Sequence, residues 1–122
     1  LGSTLAMTGT NEEANLSNGT VWLGANTTLT GSGLTGSNDT LGGSASDSVV
    51  EYGNNDVTSL GAGSTLAMTG TNEEANLSNG TVWLGANTTL TGTGLTGSND
   101  TLGGSASDSV VEYGNNDVTS LG

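Results

Sequence analysis

Residues 62–122 repeat residues 1–61 almost letter for letter, and the aligned copies differ only at Leu1/Ala62 and Ser32/Thr93. Whatever one copy folds into, the other must fold into as well. Any surface that joins the two must be satisfied by the same residues on both sides. Self-similarity at a fixed period of this size marks solenoids, propellers and bead-like arrays. The chain is two whole periods long and has neither an initiator Met nor a signal-like start. It is therefore expected to be a window from a longer array, with unit 1–61 running into unit 62–122 as one continuous body.

Composition narrows the choice. The sequence holds no Lys, Arg, His, Cys, Pro or Phe, but 22 Gly and 12 carboxylates, for a formal charge of −12. Nothing can neutralise phosphates, so nucleic acid is excluded as a direct partner. Anionic membrane surfaces are disfavoured on the same ground. No apolar run approaches membrane-spanning length, so no membrane insertion is expected. Without Cys there are no disulfides and no thiol chemistry. Without His, Cys, Lys or Arg the usual bases, nucleophiles and electrophiles are missing too. Paired carboxylates could still serve a glycosidase, but Glu12 and Glu13 are adjacent and splay apart. The reading is non-enzymatic.

Along one repeat the apolar residues alternate with a period of two, bounded by Gly and Asn. The expected strands are Ser3–Thr8, Thr20–Leu23, Asn26–Thr30, Thr40–Leu41, Ser48–Tyr52 and Asp56–Leu60. Asn11–Leu16 could pass for a helix but is too short and Asn-rich to hold one. Two internal markers subdivide the unit. Gly-x-Asn-acid recurs at Gly9–Glu12, Gly36–Asp39 and Gly53–Asp56, and Leu-Gly-Ala-x-x-Thr-Leu at Leu23–Leu29 and Leu60–Leu66. Their spacing suits coils of a solenoid. The fold class is therefore all-β, a parallel β-solenoid or β-helix with about three coils per 61-residue repeat. Gly and Asn would supply the tight corners, and Leu, Val and Met a narrow apolar column. Stacked amide ladders are expected at Asn11, Asn38 and Asn55, with their copies Asn72, Asn99 and Asn116.

The segments VWLGANTTLTGSGL and LGAGSTLAMTG resemble the repetitive passenger regions of secreted bacterial adhesins, including autotransporter-type β-helices. That resemblance implies an extracellular or cell-surface, elongated, non-catalytic stalk or fibre. A second, shorter resemblance lies in GGSASDSVV (Gly42–Val50), which is similar to the calcium-binding nonapeptide of RTX proteins. Gly42, Gly43, Asp47 and Val49 match, while Ala45 stands where a third Gly is expected. It makes Asp39, Asp47, Asp56, Asp100, Asp108 and Asp117 candidate calcium ligands, since calcium takes six to eight oxygens. The competing reading makes these Asp ordinary turn residues bonded to local backbone. No cofactor is required on that reading, with calcium as the alternative.

Alternation places Val21 and Leu23 on one face and Trp22 on the other. Trp22 and its copy Trp83 would then point outward once per repeat, as a row available to carbohydrate or to a neighbouring filament. The alternative tucks each Trp into a second apolar cluster with Tyr52 or Val49. The Asn-x-Ser/Thr sequons at Asn15, Asn18, Asn26 and Asn38 are expected by chance in so Asn- and Thr-rich a chain. Two Thr-x-Thr pairs per repeat, at Thr8 and Thr28, are too few for an ice-binding face.

The sequence thus reads as a structural repeat module of an extracellular filament or adhesin stalk, whose partners are identical repeats or copies of itself. Three rivals stand beside it: a calcium-binding RTX-like roll, a string of β-sandwich beads, and a carbohydrate-binding module built on the Trp residues.

Overall fold

In the computed structural model, which describes residues 2–122, every paired strand runs parallel to its neighbours, and no helix occurs among the described residues. Leu1, one of the two positions at which the copies differ, lies outside them. The first repeat contributes β1 (Thr4–Met7), β2 (Glu12–Asn15), β3 (Thr20–Leu23), β4 (Leu29–Ser37), β5 (Thr40–Gly42), β6 (Ser48–Asn54) and β7 (Val57–Ser59). The second contributes β8 (Thr65–Thr71), β9 (Glu73–Asn76), β10 (Thr81–Leu84), β11 (Leu90–Ser98), β12 (Thr101–Gly103), β13 (Glu112–Asn115) and β14 (Val118–Ser120). Odd-numbered strands form one seven-stranded sheet and even-numbered strands another. Each coil is one strand of each sheet, so the chain is a two-sheet β-solenoid of about seven turns.

Seven is odd, and this has a geometric result. A repeat of seven strands at two strands per coil makes three and a half coils, where the sequence suggested about three. The extra half-coil is β2. Its Glu12–Glu13 pair reads poorly as a strand, yet Glu12 registers with Leu29, and Ala14 with Leu34 in the coil above. Equivalent strands of the two copies therefore lie in opposite sheets. Trp22 stands on the odd sheet and Trp83 on the even one, so the two indoles form no single row.

The corners explain the Asn content. Each of the thirteen connections between consecutive strands contains one residue with φ between 53° and 75°: Asn11, Asn18, Asn26, Asn38, Ser46, Asn55 and Gly63 in the first seven, then Asn72, Asn79, Asn87, Asn99, Ser107 and Asn116. The left-handed state costs an ordinary residue energy, and Gly and Asn tolerate it best. One such residue per half-coil turns the chain from one sheet to the other. The corners stack through backbone bonds, for example Asn38 N–H to the carbonyl of Asn54 and Asn55 N–H to that of Thr71, both 2.9 Å.

Between the sheets runs one apolar column, with Val21, Leu29, Leu34, Leu41, Leu66 and Val82 nearly inaccessible. It fills because side chains alternate in and out along each strand. In β6 the inward set is Val49 and Glu51, and Tyr52 faces out. Register between coils advances by 17 residues in most pairs, for example Leu34 with Glu51 and Glu51 with Met68. The spacing is 16 from Thr4 to Thr20 and 20 from Thr20 to Thr40. The ladder does not notice the boundary between copies. Strand β6 of the first pairs with β8 of the second over seven residues, and β7 pairs with β9. No linker separates the copies, as beads would require.

The corner geometry yields a test. Asn38→Ala should lower stability by roughly 1–2 kcal/mol, the cost of holding an L-residue with a Cβ in the left-handed state, whereas Asn38→Gly should leave the fold within a few tenths of that of the parent. Urea midpoints of the two variants separate the outcomes. Equal losses would mean the corner does not depend on backbone conformation.

Candidate functional sites

The residue after each left-handed corner turns inward, and eight of the twelve acidic residues stand at such positions. At the even-to-odd edge, Gly19 N–H donates to Asp39 Oδ1 (2.8 Å), Asp39 N–H to Asp56 Oδ1 (2.8 Å), and Asp56 N–H to Glu73 Oε2 (3.0 Å). At the opposite edge, Gly80 N–H donates to Asp100 Oδ1 (2.8 Å) and Asp100 N–H to Asp117 Oδ1 (2.9 Å). Each carboxylate takes the inward N–H of the coil before it, a donor that must be satisfied once buried. The Gly-x-Asn-acid marker is thus a corner plus its plug. Asp47 plays the same part in GGSASDSVV. It accepts from Thr27 N–H through Oδ1 (2.8 Å) and from Ser44 N–H through Oδ2 (2.6 Å). Asp108 repeats this with Thr88 and Ser105.

The six Asp proposed as calcium ligands all lie in these edge stacks, spaced one per coil. Among the described residues no three carboxylates converge as a metal site would need. Of the Asn expected to stack, Asn38, Asn55 and Asn72 occupy successive coils of one edge. Asn72 Nδ2 donates to Asn55 Oδ1 (3.2 Å). Asn11, Asn99 and Asn116 sit on the other edge.

Glu51 and its copy Glu112 carry no sequence motif, yet both lie at inward strand positions, Glu112 accepting from Thr119 Oγ1. Glu51 lies in the apolar column between Leu34 and Met68, 1 % exposed. Its Oε2 accepts a 2.6 Å bond from Thr58 Oγ1 of the facing sheet, while Oε1 has no partner. Burial pushes the Glu51 carboxyl from 4.5 up to about 8, opposed by the Thr58 bond and reinforced by Asp56, Glu73 and Asp39. Burial also raises Glu73 to about 7 and Asp56 to about 6, and lifts Asp100 above the ordinary carboxyl range. The only sequence clue was phase: Glu51 shares the inward parity of Val49.

The outer faces carry a groove once per repeat. In β4 and β11 the register slips, so that Glu73 pairs with Leu90 but Ala75 with Leu95. The surplus residues are Gly92–Thr93–Gly94 and their counterparts Gly31–Ser32–Gly33: the first two of each set are exposed, and the last is buried against the next coil. Gly33 (φ 58°) approaches the Val50 carbonyl so closely that an added Cβ would lie 2.0 Å from its oxygen, so only Gly fits. The bulge forms a lip over the sheet, fixed by Ser32 Oγ donating to Glu13 Oε2 (3.0 Å) and Thr93 Oγ1 to Glu74 Oε2 (2.7 Å). Below the lip in the second copy is a cleft of about 270 Å³ that crosses β7, β9 and β11. Its counterpart at Glu13, Asn15 and Ser32 measures about 300 Å³. The Ser32/Thr93 difference falls on this lip and keeps the hydroxyl. Both Trp residues lie exposed on the sheet faces, at 55 % and 54 %, and not in an inner cluster.

No family model matches the chain, and no match emerges among curated proteins or solved structures.

Acid should strengthen this fold. For Glu51, Glu73 and Asp56 the folded state holds a proton more tightly than the unfolded chain. Their contribution is complete below about pH 4 and is lost as pH rises to about 6 for Asp56, 7 for Glu73 and 8 for Glu51. Thermal midpoints should fall from pH 4.5 to pH 8.5, and Glu51→Gln, which keeps an acceptor for Thr58, should flatten the fall. A midpoint that rises with pH would show these carboxyls to be ionised at no cost.

Proposed function

We propose that this chain is a non-catalytic structural repeat module of an extracellular filament or adhesin stalk, lengthening an axis by stacking coil on coil. The observation that carries the reading is the junction between copies. The bonds across it, β6 to β8 and β7 to β9, are of the same parallel kind and spacing as those within a copy. A unit that joins its neighbour as it joins itself can be multiplied without a new interface. Each unit adds three and a half coils, about 17 Å of length at roughly 4.8 Å per coil. The extracellular placement draws on the resemblance to secreted adhesin passengers and on a chain without Lys or Arg, which offers trypsin-like proteases no cleavage point. Calcium binding by an RTX-like roll is the competing reading, and the edge stacks of Asp are where it would act.

Chains of two, four and six repeats measured by electron microscopy should form rods whose length grows by about 17 Å per repeat, with unfolding midpoints that rise with repeat number. Strings of separate particles would defeat the reading. A chelator should leave the far-ultraviolet circular dichroism of each rod unchanged. Collapse of the β signal on chelation would instead establish the calcium-dependent roll.

A further inference from the structure

The register of the odd sheet lines up a feature that no single strand contains. Trp22 pairs with Gly42, Gly42 with Ser59, Ser59 with Asn76, Asn76 with Thr96, and Thr96 with Tyr113. These six residues form one outward column over six coils, roughly 24 Å along the axis at about 4.8 Å per step. An aromatic ring stands at each end of the six, with Ala6 of β1 continuing the column beyond Trp22, and both rings are exposed. The indole of Trp22 leans across Gly42: a Cβ there would fall 2.3 Å from the ring. Only a residue without a side chain lets the ring lie against the sheet with its other face open. Between the aromatics, Ser59, Asn76 and Thr96 line the cleft under the Thr93 lip.

We propose that this column is a binding platform for a neutral linear polysaccharide lying along the solenoid axis. The chemistry matches at each level. Flat exposed rings offer apolar faces for the C–H faces of pyranose rings, which few other soluble ligands present in a row. The middle offers hydroxyls and an amide that both donate and accept, as a polyol needs. A shallow cleft with a few convergent polar groups on a preformed sheet is the usual form of a ligand site. Charge selects against the alternatives. With −12 overall and no cationic side chain, the surface repels polyanions. The one carboxylate on the rim, Glu74, is engaged by the Thr93 hydroxyl, which lowers its value to a cationic partner.

The half-coil phase places the same pattern on the other face. Trp83, Gly103 and Ser120 begin a platform there, and Asn15, Thr35 and Tyr52 end one. This inference requires the solenoid register but not the stalk reading. A soluble solenoid of any location would carry the same platform.

The test is titration of the chain with cellohexaose, maltohexaose and laminarihexaose at 0.05 and 0.5 M NaCl, with polylysine as the cationic comparison. At least one hexasaccharide should bind at both salt concentrations. Trp22→Ala and Asn76→Ala should each weaken it, the former at least tenfold, with circular dichroism unchanged because both side chains are exposed. Failure of all three saccharides to bind, or binding that survives Trp22→Ala, overturns the proposal. So does binding confined to polylysine and abolished by salt, which would mark the face as a docking surface for a cationic polymer. Rod formation is read separately, so loss of saccharide binding by intact rods removes the platform and leaves the stalk reading standing.

Discussion

The parallel hydrogen-bond ladder between successive coils is the constraint to which everything else in this molecule answers. It fixes a common direction for every strand and an advance of 16, 17 or 20 residues per coil, 17 being the commonest. It also forces each corner residue to sit above a corner residue. A chain this poor in large apolar residues has little else to hold it: the core is a single file of Leu, Val, Met and Ala side chains between two sheets. Side chains in such a file touch mostly those one coil above and below. The ladder and the column therefore reinforce one another in the axial direction.

The carboxylates follow from the same constraint. Where the chain turns from sheet to sheet, the ladder cannot use every N–H, and a short acidic or hydroxyl side chain from the next coil takes the one left over. This is why acids occupy buried places in a chain with no counter-charge. A carboxylate accepting a backbone N–H is stabilised, but the second oxygen often has none: Asp39 Oδ2, Glu73 Oε1 and Asp100 Oδ2 are all unpartnered. Glu51 is the extreme case, an acid within the apolar file bonded only to Thr58, and Glu112 repeats the arrangement with Thr119. The fold thus links its stability to proton concentration.

Much of this was legible in the sequence. Val21-Trp22-Leu23 revealed its in–out alternation. The period-two pattern led to strands, and the Gly-x-Asn-acid marker located true corners at Asn11, Asn38 and Asn55. The strand β2 was hidden because Glu12 and Glu13 are poor strand formers taken alone. They extend because neighbours above require a partner, a tertiary effect that no local window contains. Missing that strand turned an odd count into an even one and put both Trp residues on one face. The site on the outer face was invisible for a related reason. Trp22, Ser59, Asn76 and Tyr113 are far apart in the chain, and only coils of unequal length, 20 and 17 residues, bring them into one file. The bulge at Gly31–Gly33, which lengthens one coil and raises the lip, could have been suspected from three glycine-bounded residues within a strand-like run.

The half-integer coil count has a consequence for how such arrays grow. Inserting one more unit turns all that follows through half a revolution, so what faced left then faces right. Inserting two restores the original orientation. Any partner that reads a single flank would thus be sensitive to whether the number of added units is odd or even. A partner embracing both flanks would sense only total span.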